Sequence, residues 1–212
     1  MDSLGHLMGT PQLLALAAAL GWVSGIRLYA AVFLVGAAGY LGWIALPAGL
    51  QVLEHPGVLA ASGFMCFIEF FADKIPFIDT VWDTVHTFIR IPAGAALAAG
   101  VLGADGPAAA WIAAILGGTL AATSHAAKLT TRAAVNTSPE PFSNIFVSLF
   151  EDGFVVFMLW LAATHPALFA VVLLLSIALA IVLLVVLVKF LRTVLRGLQS
   201  FVAGRGAPQG NP

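Results

Sequence analysis

Six apolar runs of near membrane-crossing length fill this chain, and charged side chains are set inside five of them. A helix crosses the ~30 Å hydrocarbon core with about 20 apolar residues. Residues 11–46, 58–72, 77–102, 108–131, 142–164 and 167–188 meet or approach that requirement. The first run is too long for one plain span and is interrupted by Gly21, Ser24, Gly25 and Arg27. It reads as a span broken near Gly21–Gly25, or as a short re-entrant piece followed by a span. The other runs are separated by turn signals: Pro56, Asp73-Lys74-Ile75-Pro76, Gly103 to Pro107, Asn136 to Pro141, and Pro166. The runs are continuous and rich in Ala and Leu, without the alternating polarity of barrel strands. An all-α, polytopic membrane bundle follows, with residues 1–203 forming one transmembrane domain and residues 204–212 a flexible cytoplasmic tail.

Composition removes the alternatives. Apolar residues make up 61 % of the 212, charged residues 9 %, and the mean hydropathy is +1.03. Soluble domains sit near ~45–50 % and ~25 %, so a soluble enzyme and a disordered chain are excluded. A net charge of −1 leaves no field to attract nucleic acid. The single cysteine, Cys66, excludes an internal disulfide and a cysteine-rich metal site.

Basic residues favour the cytoplasmic side of short loops. Lys189, Arg192, Arg196 and Arg205 follow the sixth run, which places the C-terminus inside. Counting back over six crossings puts the N-terminus inside as well. Lys74, Lys128 and Arg132 then fall at the cytoplasmic edge as orientation signals, and Trp43, Trp111 and Trp160 fall at the outer ends of their spans, where an aromatic belt belongs. The sixth run, free of charge until Lys189, is expected at the lipid-facing periphery.

The buried charges have a pattern. Glu69 and Asp73 are four apart, and Asp79, Asp83, His86 and Arg90 step by four, three and four, which is one face of a helix. That stripe rises ~16 Å. Asn144, Ser148, Glu151 and Asp152 form a second stripe, Ser124, His125 and Lys128 a third group, and Ser24 and Arg27 flank the first-run glycines. A lone charge at mid-membrane costs roughly 2.5–3.5 kcal/mol even on the lenient insertion scale, so these residues need partners, water or a function. One reading is ion pairing that holds helices in register, six acids against five bases. The other is a substrate or ion path. Asp79, Asp83 and His86 are also candidate ligands for a divalent cation. No hydrolase, nucleotide-binding or zinc-protease motif is present to support an enzyme.

Gly21 and Gly25 suit either close helix packing or an unwound turn. A short echo links residues 63–74, ending in Ala72-Asp73-Lys74, to residues 117–128, ending in Ala126-Ala127-Lys128. Each is followed by Pro-Phe opening a polar-striped helix. The arrangement is either a parallel duplication or an inverted repeat, and in both cases the third and fifth helices are expected to face each other.

Ser24-Gly25-Ile26-Arg27-Leu28-Tyr29, the stretch Glu69-Phe70-Phe71-Ala72-Asp73-Lys74-Ile75-Pro76, and Ser148 to Asp152 together resemble an uncharacterised family of bacterial multi-pass inner-membrane proteins marked by E-F-x-A-D-K-x-P. The resemblance implies a bacterial inner-membrane location and supplies no activity. The residues themselves point first to a small transporter or channel-like carrier for an ion or small polar solute. Asp79, Asp83 and His86 would line a cytoplasmic path, and Glu69, Arg90, Glu151 and Asp152 a mid-membrane site, with Arg27, Asp73, His125, Lys128 and Asn144 around them. Arg90 is expected to pair with Glu151 or Glu69. The alternatives are a lipid-phosphate handling protein, with Arg27, Arg90 and Lys128 as phosphate contacts, and a structural assembly partner. Membrane lipid and the solute are the expected partners, and a homo-oligomer is left open.

Overall fold

The computed structural model describes residues 8–136 and 141–204. The N-terminal seven residues, the loop tip at 137–140 and the expected tail beyond Gly204 lie outside the described residues. Six helices follow the apolar runs: α1 (Thr10–Tyr40), α2 (Pro56–Ala72), α3 (Ile78–Leu102), α4 (Pro107–Val135), α5 (Pro141–Thr164) and α6 (Pro166–Gly204). A 3-10 turn, Ala48–Glu54, precedes α2, and a shorter one, Gly103–Asp105, precedes α4. Four helices open on a proline, whose fixed φ and missing N–H suit the first turn. At α2 the His55 ring adds a cap, its Nδ1 accepting from the Gly57 N–H at 3.1 Å. The α2–α3 turn closes through Phe77, which holds a left-handed φ of 71°.

Polarity is distributed as in a membrane protein. Large apolar side chains cover the outside, among them Phe64, Phe88, Trp111, Phe146 and Leu174, while charged side chains such as Arg27, Asp73, Asp83, Arg90 and Arg132 are buried. Five helices are long and apolar enough to cross a membrane, and α2 makes a sixth when joined to the 3-10 turn before it, from which it bends by 71°.

The path of α1 differs from a span. Residues 10–26 run alongside α4 and in its direction, with Gly21 against Gly117 and the Ile26 carbonyl against Lys128. Arg27 then leaves helical geometry, at φ −145° and ψ 77°. Beyond it the order reverses: Tyr29 meets His86, Phe33 meets Gly63, and Gly36 meets Leu53 and Leu59. At the start of the helix, Pro11 to Ala18 share a cavity wall with Pro166 to Leu174. Both ends of α1 therefore lie at the end of the bundle that carries Trp43, Trp111 and Trp160, and Arg27 is the tip of a re-entrant hairpin. The first helix is broken and re-entrant as expected, and two details differ from expectation. The break is at Arg27 rather than at Gly21–Gly25, because those glycines sit in regular helix and serve close packing. And the two ends of the described chain lie at opposite ends of the bundle, because α1 returns to the side it entered.

Glycine sets how closely the centre packs. A Cβ on Gly21 would stand 2.7 Å from the Gly117 Cα, and one on Gly94 would stand 2.7 Å from the Ala121 Cβ. Three helices, α1, α3 and α4, thus meet backbone to backbone. Helix α3 packs chiefly on α4 and α1, and α5 on α1 and α6. The third and fifth helices do not face each other as the echo suggested, because α1 and α4 stand between them. Helix α6 lies at the periphery as expected, with Leu174 66 % and Val182 57 % exposed, and it continues well past Val188 to Gly204.

Candidate functional site

The hairpin tip brings Arg27 into the middle of the bundle, where its guanidinium is the hub of a charge cluster. Nη1 lies 2.5 Å from Asp73 Oδ2, Nε 3.0 Å from Asp152 Oδ1, and Nη2 donates to the Ser148 hydroxyl at 2.8 Å. The same side chain also reaches two backbone carbonyls, of Glu69 and Ser148. A one-residue break in the helix is stable here because protein groups surround it.

From Asp73 the cluster passes to α4. Lys128 Nζ lies 2.6 Å from Asp73 Oδ2, 3.1 Å from Asp83 Oδ1 and 3.7 Å from Glu151 Oε2. It also donates to the Ile26 carbonyl at 3.1 Å, at the C-terminal end of the first α1 arm, where a cation complements the helix dipole. Asp83 leads to Arg90 at 2.9 Å, and Arg90 to Glu69 Oε1 at 2.6 Å. In the other direction Arg132 binds Glu151 Oε2 at 2.7 Å, the Asp73 carbonyl at 2.9 Å and the Asn144 side-chain oxygen. Asp79 closes the lower edge, accepting from Asn136 at 3.0 and 3.1 Å and from the Thr80 N–H at 2.6 Å.

His125 borders the cluster from above. Its Nδ1 lies 3.0 Å from the Gly25 carbonyl and 3.3 Å from Arg90 Nη1, and its Nε2 lies 2.7 Å from the Thr87 hydroxyl. The surface opening lies at the other flank. Asp152 has 27 % and Lys74 16 % of its side chain exposed, and the two lie 3.5 Å apart. Lys74 also sits 3.0 Å above the Phe70 ring.

Most of the residues picked from sequence converge: Arg27, Glu69, Asp73, Asp79, Asp83, Arg90, Lys128, Asn144, Glu151 and Asp152 form one continuous cluster, with His125 at its border. The division into a cytoplasmic path and a mid-membrane site dissolves, since Asp83 binds both Arg90 and Lys128. His86 stands apart. Its ring bonds the Trp82 carbonyl at 2.7 Å and stacks on Trp82. The metal trio therefore does not gather, and among the described residues no three His, Cys, Asp or Glu side chains are disposed to hold a metal ion. The partner of Arg90 is Glu69 rather than Glu151, because Arg132 takes the Glu151 carboxylate.

Arg132, expected at the cytoplasmic edge and outside the predicted site, is 1 % exposed. Lys128 and Lys74, given the same edge role, also join the cluster. A signal existed: His125, Lys128, Arg132 and Asn136 step by three, four and four, the same stripe spacing as in α3.

Beside the cluster, a cavity of about 200 Å³ opens between α1, α4, α5 and α6. Its walls include Ile26, Phe154, Leu179 and Leu183, and Lys128 and Glu151 lie at its polar edge.

No curated protein and no solved structure matches the chain. A family model described as a domain of unknown function, DUF4126, matches residues 14–186, a stretch that contains every residue of the cluster. The chain belongs to this uncharacterised family, DUF4126.

Proposed function

We propose that the protein is a small secondary carrier of the bacterial inner membrane, moving an ion or small polar solute through the charged centre. The observation that carries this reading is the broken, re-entrant α1, whose tip Arg27 is held among carboxylates from α2 and α5. Discontinuous helices ending deep in the bundle are the usual way a carrier presents backbone and charge to a solute. A scaffold of ion pairs needs no such break, and apolar replacements of buried pairs are often as stable. The cluster also reaches the surface at Asp152 and Lys74, which offers an entrance. With Lys189, Arg192 and Arg196 cytoplasmic under the positive-inside rule, the start of α1 faces outward and the entrance lies toward the cytoplasm.

The test is flux in vesicles reconstituted with the purified full chain. Solute- or ion-driven uptake should appear and should fall at least tenfold in Asp152→Asn and Glu151→Gln proteins that still fold. Absence of any flux across a panel of ions, amino acids and organic acids would end the carrier reading. The lipid reading draws support from the apolar cavity beside Lys128 and Glu151. Against it, Arg27, Arg90 and Lys128 are already engaged by carboxylates, which leaves none of these three free for a phosphate.

A further inference from the structure

The cluster is one positive charge short. Arg27, Lys74, Arg90, Lys128 and Arg132 face Glu69, Asp73, Asp79, Asp83, Glu151 and Asp152, five cations against six carboxyl groups. An uncompensated carboxylate in the bundle interior is costly, and in such a setting the group takes up a proton. No acid or imidazole trio is disposed to supply a metal ion instead among the described residues.

The contacts single out the carboxyl that balances the count. Asp73 lies within 4 Å of three cations, as does Glu151. Asp83 and Asp152 each have two. Asp79 has one distant cation, at 3.9 Å, and its oxygens are engaged, accepting from Asn136 and Thr80. Glu69 has Arg90 alone, on Oε1, and Arg90 is shared with Asp83. Its other oxygen, Oε2, is buried and has no hydrogen-bond partner, as is true of Asp73 Oδ1 and both Asp83 oxygens, but Asp73 has three neighbouring cations and Asp83 two where Glu69 has one. The further charges acting on Glu69 through space are Lys128, Arg27 and Asp73, and Tyr29 and Cys66 lie within its field.

We infer that Glu69 carries the exchangeable proton of the cluster, so that the coupling ion of the carrier is H⁺. This deepens the carrier reading and rests on it for the word coupling. The proton adds to Oε2, forming a neutral carboxylic acid that keeps Oε1 as acceptor for Arg90. Its loss restores the carboxylate and the net charge of −1, which a cationic solute or a returning proton then balances.

The experiment is infrared spectroscopy of the full-length protein in vesicles at pH 7, in H₂O and D₂O, alongside proton flux measured with an internal pH dye. Wild type should show a protonated carboxyl carbonyl band that shifts in D₂O. Glu69→Gln should lose that band and lose proton flux at least tenfold. Its thermal midpoint should stay unchanged, because glutamine mimics the protonated acid. Glu69→Asp should keep the band, and Asp79→Asn should not remove it. A wild type without the band, or a band that survives Glu69→Gln and disappears in Asp79→Asn, overturns the assignment. A band behaving as expected with no flux of any kind leaves the proton on Glu69 and removes the carrier. Flux that depends on Na⁺ and is indifferent to pH overturns the assignment of H⁺ and keeps the carrier.

Discussion

Arg132 shows what a single buried cation does in this protein. It joins α4 to α5 through Glu151 and Asn144, and to the α2 terminus through the Asp73 carbonyl. Removing one member of a buried pair strands the other in a medium that solvates it poorly. Arg132→Leu should therefore destabilise the bundle by about 3–5 kcal/mol, and Arg132→Lys by clearly less, in chemical unfolding followed by tryptophan fluorescence. Equal losses would mean the charge is not what holds Glu151. The same ordering is expected for Arg90→Leu and Arg90→Lys, because the Asp83 carboxylate depends on that guanidinium and Glu69 accepts a hydrogen bond from it. Adding Asp83→Asn to Arg90→Leu should recover part of the loss, whereas adding Glu151→Gln should not. Helical spacing in the sequence identified these residues as facing inward. It could not name their partners, since the long arginine side chain reaches carboxylates on several helices.

At the scale of the helix, α1 is the unusual element. Its two arms, residues 10–26 and 28–40, enter and leave at the same end of the bundle. In a Cys66→Ala background, single cysteines at the exposed Gly9 and Gly42 should react with an impermeant thiol reagent from the same side of the membrane. A cysteine at Ile75, in the α2–α3 turn, should react from the other. Reaction of Gly9 and Gly42 from opposite sides would make α1 a crossing helix. The arms hold their place through glycine. Gly21→Leu puts a side chain where the Gly117 backbone lies, and overpacking of that kind costs roughly 1–3 kcal/mol or more. A loss of that size on unfolding, with Gly42→Leu in the open loop near neutral apart from its positive φ, would separate packing from backbone strain.

For the whole molecule, the distribution of polarity makes α6 a lid on the side of the bundle rather than part of its centre. Leu174→Ala and Val182→Ala should each cost less than about 1 kcal/mol, since a side chain facing lipid leaves no cavity behind it. Phe169, on the same helix, is 1 % exposed. Its replacement by alanine should cost about 3–5 kcal/mol. If all three proved equally mild, α6 would be only loosely attached and the 200 Å³ cavity beneath it would be open to lipid on that side.

The sequence alone determined the class, the helices and where each of them starts. Run length, the prolines at the helix starts and the Asp-Lys-Ile-Pro turn are local, and the bilayer requires backbone bonds to close within each helix. It also determined which faces carry charge, because a stripe at steps of three and four has one direction on a helix. What it left open was the arrangement between helices: where α1 turns back, that α3 seats on α4 instead of α5, and that Arg132 is a core residue. Those depend on which helix stands opposite a given face. Periodicity carries no information about that, and many pairings of five cations with six acids satisfy the same spacing. The choice among them came from glycine contacts such as Gly21 with Gly117, which bring particular backbones together. It came also from the bonds at Arg27, which compensate a break in the helix only once α2, α4 and α5 surround it.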